Sequence, residues 1–356
     1  AKPERVRTLT ERYNAMFNTV VPRDYTEDGK MLRFPGLASS VHPYEQQPAA
    51  VARMINEPAV GLFHEVGAGK TKSMIMGAME MKRLGIITKP IVVVPNHMLF
   101  QFSNEWLQTY PNARILVATE GASAQERRQL VAKATMSDWD GIVMTQENFK
   151  ALAVSDDTKA AYIRGEIAKY RETIELSENS NMSVRRLETA VEKMENQLRA
   201  ITDQPTDSGP TFEAMGIDYI IADEAHAYKN LGVSTNLQGV GPSTSSARAA
   251  DMKMKMDYLR GKFDHVGTFA TATPIANTIS EAHTMMTYLR PDLLAERGIL
   301  PFDAFAATFC QASTKAELNV VGDYRMKTRI ARFQNLPEFL SLWGIPADVK
   351  TAADLN

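Results

Sequence analysis

This 356-residue chain lacks most of what would staple it, insert it in a membrane or mark it as bulk polyelectrolyte. It has one cysteine, Cys310, which excludes a disulfide framework within the chain and any zinc site built from several thiolates. Such usage suits a reducing cytoplasm. No run is long and apolar enough to span a membrane, and no signal peptide opens the chain, so no membrane partner is expected. The first residues, Ala1-Lys2-Pro3, lack Met, as in a fragment or a processed product. Charge of one sign is also missing. Lys and Arg number 40 against 42 Asp and Glu, a formal net charge of −2, so there is no global basic signal for nucleic acid. A local basic groove stays open, because only the patch facing phosphates must be positive. Hydrophobic residues at 44% and charged ones at 23% match an ordinary globular α/β protein of one large or two medium domains.

What is present begins at residues 64–71, His-Glu-Val-Gly-Ala-Gly-Lys-Thr. The short apolar run Val60-Gly61-Leu62-Phe63 precedes it as a strand. Met74, Ile75, Ala78 and Met79 follow at helical spacing until Gly85. A glycine-rich turn between strand and helix is a phosphate cradle. Gly67 and Gly69 let the backbone N–H groups of 67–71, Ala68 included, turn inward, and the helix N-terminus adds its positive dipole end. Lys70 can reach β- and γ-phosphates, and the Thr71 hydroxyl can ligate Mg²⁺. The P-loop consensus begins with Gly, whereas His64 stands here. For the octet alone, an ordinary glycine turn is the competing reading.

A second motif decides between them. Ile217-Asp218-Tyr219-Ile220-Ile221-Ala222 reads as a buried parallel strand ending in Asp223-Glu224-Ala225-His226. Asp223 is placed to hold Mg²⁺ and Glu224 to orient or deprotonate an attacking water. A solvated acidic pair is the bland alternative. A third run, Val266 to Phe269, leads into Ala270-Thr271-Ala272-Thr273-Pro274-Ile275-Ala276-Asn277. Its small hydroxyl residues can link a γ-phosphate sensor to a neighbouring surface, and a plain Thr/Pro turn is the alternative.

Other α/β elements surround these motifs. Pro43 to Gln47 opens a helix through Ile55; Pro90–Pro95, Arg114–Ala118 and Gly141–Met144 read as strands. Asn96 reads as the cap of the helix after the first of them. Residues 157–203 break the rhythm. Ile163, Ile167, Tyr170 and Ile174, then Val184, Leu187, Val191, Met194, Leu198 and Ile201, recur at threes and fours around Glu178-Asn179-Ser180-Asn181, with Ser183 as a plausible N-cap. This predicts an inserted antiparallel helical hairpin, and it explains the 153 positions between Lys70 and Asp223. Its alternating charges suit a solvated face, or an arm that touches DNA or another domain. Residues 232–247, with Gly239, Gly241 and Pro242, read as a mobile loop. Met285 and Met286 read as core filler in a helix from Ser280 to Leu289. The tail, with Phe302, Phe305, Phe309, Phe333 and Trp343, winds over the lobe or leads to another domain. The expected divisions are a lead-in at 1–41, an ATP-binding lobe at 42–292 with the insertion at 157–203, and an extension at 293–356.

In order along the chain, the octet, Asp223-Glu224-Ala225-His226-Ala227-Tyr228-Lys229-Asn230 and Thr271–Asn277 resemble motifs I, II and III of superfamily-2 helicases. The Lys229-Asn230 tail and Leu289-Arg290-Pro291-Asp292 are most similar to Swi/Snf-type translocases. Glu11-Arg12-Tyr13-Asn14, Phe17-Asn18, Phe34-Pro35-Gly36 and Val93-Val94-Pro95-Asn96-His97 resemble the helicase region of phage- and plasmid-borne proteins that fuse an adenine DNA methyltransferase to such a motor.

The resemblance implies a RecA-like lobe, an α/β fold with a parallel sheet flanked by helices. It implies an ATP hydrolase using ATP and Mg²⁺ in a bacterial or phage-infected cytoplasm. Lys70, Asp223 and Glu224 would be catalytic, with Thr71 and Asp223 on the metal. Gln47 would read adenine, with Gln46 as the alternative. His226, Thr271 and Thr273 would couple nucleotide to DNA, which Asn96, His97, Thr119, Thr145 and Gln146 would contact. Duplex translocation is favoured over strand separation. A restriction, anti-restriction or mobile-DNA role follows, with a methyltransferase domain as a further partner. Such motors need a second RecA-like lobe, which supplies an arginine finger worth about 10³–10⁵ in rate in related hydrolases. Only 64 residues follow Asp292, so the isolated chain is expected to bind ATP–Mg²⁺ weakly and to turn it over slowly or not at all. A nucleotide-gated clamp without turnover and a P-loop kinase are the competing classes.

Overall fold

The computed structural model describes residues 23–118, 123–175, 181–203, 211–233, 235, 245–276, 278–318 and 324–355. Among these described residues nine strands are formed. They are β1 (Ala59–His64), β2 (Pro90–Val94), β3 (Ile115–Val117), β4 (Gly141–Thr145), β5 (Tyr219–Ala222), β6 (Gly267–Ala270), β7 (Cys310–Leu318), β8 (Tyr324–Phe333) and β9 (Ala347–Lys350). Seven of them make one parallel sheet in the order β3-β4-β2-β5-β6-β1-β9. β7 and β8 pair antiparallel, apart from it.

Both faces of the sheet are covered, which is why its strands read as unbroken apolar runs. Ile91 and Val93 of β2 and Ile220 and Ala222 of β5 join one core. Val92, Val94, Tyr219 and Ile221 join the other. The helices Gln46–Asn56, Lys70–Arg83 and Leu99–Thr109 close that second face. Ala247–Arg260 and Ser280–Leu289 close the first, with Met285 and Met286 wholly buried as filler. This is the RecA-like arrangement expected from the motifs.

The insertion is a helical pair, Asp156–Glu175 and Asn181–Asp203. Ile163, Ile167 and Val191 are buried between the helices, with Tyr170, Ile174, Met194, Leu198 and Ile201 packed around them. Arg171 pairs with Glu195 at 2.6 Å. The root is pinned where Glu213 Oε1 accepts bonds from Ser155 N, Ser155 Oγ and Thr158 Oγ1.

The tail winds back over the lobe. Phe305, Phe309, Phe339 and Trp343 form a chain of ring contacts that ends on Phe63 of β1, whose ring stacks on Trp343 at 5.3 Å. β9 then adds to the sheet beside β1, so the segment after 292 supplies an edge strand of the lobe. Ala-Asp-Val-Lys is too short and too polar to reveal that strand by pattern.

Strand order positions the site. β6 lies between β1 and β5, so the three motif-bearing strands are neighbours and their carboxyl ends open on one crevice.

Candidate nucleotide site

β1 ends at His64, and the helix begins at Lys70 with Gly69 as its N-cap. Gly67 and Gly69 have φ of 88° and 78°, the left-handed region that the loop requires of them. A Cβ on Gly69 would also stand 2.4 Å from Gln47 Nε2. Lys70 Nζ donates to the carbonyls of His64 at 2.9 Å and Glu65 at 3.1 Å. Burial lowers the Lys70 pKa, against the pull of Glu224, Asp223 and Glu65, so its ammonium already feels the second motif. Thr71 follows at the crevice, half-buried.

Two glutamines brace this loop. Gln47 is fully buried; it donates from Nε2 to Gly69 O at 2.9 Å and accepts from Tyr44 N at 2.7 Å. Gln46, half-buried, donates to Ala68 O at 3.2 Å. Gln47, the expected adenine reader, thus has both ends of its amide engaged by the chain, because it packs under the loop. His64 is also fully buried. Its Nε2 lies 2.7 Å from Asp348 Oδ2 of β9, a partner that no local pattern reveals.

Asp223 directly follows β5 and is 5% exposed. Desolvation pushes its carboxyl up to about 6; the Glu224 N–H at 2.9 Å and Lys70 oppose that, and the Glu224 charge adds to it. Glu224 adopts φ 49°, ψ 49°, a left-handed conformation that a non-glycine residue holds only under constraint. The turn places Glu224 Oε2 3.0 Å from His226 Nδ1. The same Nδ1 is 3.4 Å from Thr271 Oγ1, which accepts from Thr273 N at 3.2 Å. Motifs II and III are therefore in contact through His226.

A second bridge joins the same two motifs. Buried Lys229 pairs with Glu281 at 3.3 Å, and Glu281 also accepts from Ala276 N at 2.6 Å. Lys229 was legible as part of motif II, but Glu281 lies 52 positions on and only the fold brings it near.

The residues expected on DNA divide. Asn96 and His97 are exposed in a 3₁₀ turn, Asn96–Met98, at the end of β2. Asn96 makes no capping bond there, since the turn delays the helix to Leu99. Thr145 is 1% exposed, and its Oγ1 caps the helix Gln146–Ala151 by accepting from Asn148 N. Gln146 is buried; it donates to Asp223 O at 3.5 Å and accepts from Arg248 Nη1 at 3.2 Å. Thr145 thus serves the cap, and Gln146 ties the end of β4 to Asp223 and to Arg248. Thr119 lies outside the described residues.

The donor set suits ATP and Mg²⁺: a left-handed glycine loop on a helix N-terminus, a lysine, a hydroxyl and a buried carboxylate whose charge is poorly compensated. "Defense against restriction protein B" of Escherichia phage P1 is 24% identical over 398 aligned positions, which cover 99% of this chain and 18% of that protein. The chain thus spans less than a fifth of that relative's length. Two solved structures of the Sulfolobus solfataricus SWI2/SNF2 ATPase core also align. The one in complex with dsDNA covers 90% of this chain and 46% of its own at 16% identity, TM-score 0.46. The core domain alone covers 95% and 50% at 16% identity, TM-score 0.47. The family described as a probable helicase domain matches residues 54–351, most of the chain, and this protein belongs to it.

Proposed function

We propose that this chain is the ATP-binding lobe of a DNA translocase that couples ATP hydrolysis to movement along duplex DNA. The observation that carries the reading is the continuous contact from Glu224 through His226 to Thr271 and Thr273, facing Lys70 across the crevice. A lobe that only held nucleotide would need Lys70 and the glycines. It would not need a strained turn that aims a carboxylate at a histidine shared with the next motif.

In this reading the 67–71 backbone and Lys70 hold the phosphates, and Lys70 keeps its two carbonyl acceptors while the third N–H of its ammonium reaches a phosphate oxygen. Thr71 and Asp223 hold Mg²⁺, which when bound supplies charge neutralisation at the β- and γ-phosphates. Glu224 accepts a proton from, or orients, the attacking water. His226 passes the state of Glu224 to Thr271 and Thr273. Asn96 and His97, exposed beside the crevice, contact the DNA backbone. The phage relative's name suggests a task in protecting mobile DNA against restriction.

The test is the ATPase rate with and without duplex DNA, beside Glu224→Gln, in the chain and in the longest protein that contains it. Duplex stimulation abolished by the substitution is the expected result. A rate indifferent to nucleic acid favours a clamp, and phosphorylation of an acceptor favours a kinase; either overturns the translocase reading.

A further inference from the structure

The lower edge of the nucleotide loop is clasped by the last strand of the lobe. Phe63 stacks on Trp343, His64 Nε2 meets Asp348 Oδ2 at 2.7 Å, and Glu65 N donates to Lys350 O at 2.9 Å. These are three consecutive residues of the strand end and loop, each with a partner in the same short C-terminal stretch. The carbonyls of two of them, His64 and Glu65, are the ones that hold Lys70 Nζ. His64 Nδ1 is buried without a hydrogen-bond partner, so Asp348 alone anchors the ring. Burial would raise the Asp348 carboxyl, yet the hydrogen bond from His64 and the nearby Arg53 and Lys350 hold it below the usual carboxylate range. A buried carboxylate and a buried imidazole that each depend on the other fix one register and little else.

We propose that His64 and Asp348 are a positioning pair that sets nucleotide affinity by fixing the two carbonyls against which Lys70 is held, and that nucleotide binding is thereby communicated to β9. Neither residue touches the reacting atoms. The proposal rests on the nucleotide-binding reading above. It explains why a histidine stands where the P-loop consensus has glycine: the position is filled by a side chain that reaches the neighbouring strand.

Titration with a fluorescent ADP analogue and Mg²⁺ tests it, using wild type, His64→Ala, Asp348→Ala, the double variant and His64→Gln. Each single Ala variant is expected to weaken binding about tenfold, and the double variant to be no worse than the weaker single. His64→Gln, which keeps an N–H donor at similar reach, is expected to restore most of the affinity. In steady state the Ala variants should raise KM and leave kcat within about twofold, the mark of lost ground-state binding. Additive losses, unchanged affinity, or a fall in kcat at constant KM would overturn the pair. A measurement on wild type alone guards against variants that do not fold. Hydrogen–deuterium exchange in the segment 345–351 should slow when the ADP analogue binds, and an unchanged rate there overturns the proposal. Wild type that binds no nucleotide would instead sink the nucleotide-binding reading itself, so the two failures are distinguishable.

Discussion

His226 stands 3.0 Å from Glu224, through Nδ1 and Oε2, and the same nitrogen is 3.4 Å from Thr271 Oγ1. A single imidazole nitrogen thus serves two motifs, and it cannot donate fully to both at once. Glu224→Gln is expected to lower ATP turnover by at least about 100-fold, the usual scale for loss of a general base, while nucleotide affinity is retained. His226→Ala is expected to reduce the ratio of duplex-stimulated to basal rate more than the basal rate itself. Paired steady-state assays with and without DNA check both, and an undiminished ratio in His226→Ala would remove His226 from the coupling path.

Asp223 carries a linkage consequence. Burial pushes its carboxyl up to about 6 in the folded chain, against 3.8 for an ordinary Asp. The folded state therefore holds that proton more tightly than the unfolded state does. The ionised carboxyl disfavours folding fully above pH 6, and the penalty fades as pH falls toward 4. Asp223→Asn should raise stability without Mg²⁺ by roughly 3 kcal/mol at pH 8 and by about half that at pH 5. Thermal melts at the two pH values measure this. Mg²⁺–nucleotide affinity of the wild type should fall as pH drops through 6, because the metal competes with that proton.

Gly67 and Gly69 share a left-handed backbone but not their surroundings. A Cβ on Gly67 meets nothing within 4 Å, whereas one on Gly69 meets Gln47 Nε2. Either change to Ala costs about 1–2 kcal/mol from the backbone alone. Gly69→Ala must also displace Gln47 from Gly69 O, so its nucleotide affinity should fall further than that of Gly67→Ala. Equal losses in a nucleotide titration would mean that Gln47 does not brace the loop.

Thr145 and Asn96 separate stability from DNA contact. Thr145→Ala removes a helix cap worth about 1 kcal/mol and should lower the melting temperature. It should leave the salt dependence of duplex binding as it was. Asn96→Ala with His97→Ala should weaken duplex binding at low salt and barely move the melt. Fluorescence anisotropy with a labelled duplex across a salt series distinguishes them, and a DNA defect in Thr145→Ala that exceeds its stability loss would restore it to the interface.

Much of the lobe was legible because its signals are local. β1, β2 and β5 are apolar runs that end in a turn or an acidic pair, and the helix after Lys70 shows its period in Met74, Ile75 and Ala78. The hairpin was legible by its threes and fours. The burial of Thr145, Gln146 and Gln47 is not legible, because a polar residue at a strand end or in the first turn of a helix looks the same in sequence whether it faces solvent or hydrogen-bonds a neighbouring segment.

The chain's order of residues alone determined the parallel sheet, the phosphate loop between strand and helix, and the acidic pair at a strand end. Each follows from hydrophobic period and from the backbone freedom of particular glycines. Only the tertiary structure decided that β6 lies between β1 and β5, that β9 closes the edge beside the loop, and that His64 meets Asp348 and Lys229 meets Glu281. Those partners stand 284 and 52 positions apart, and such contacts depend on how layers pack, which no local spacing encodes.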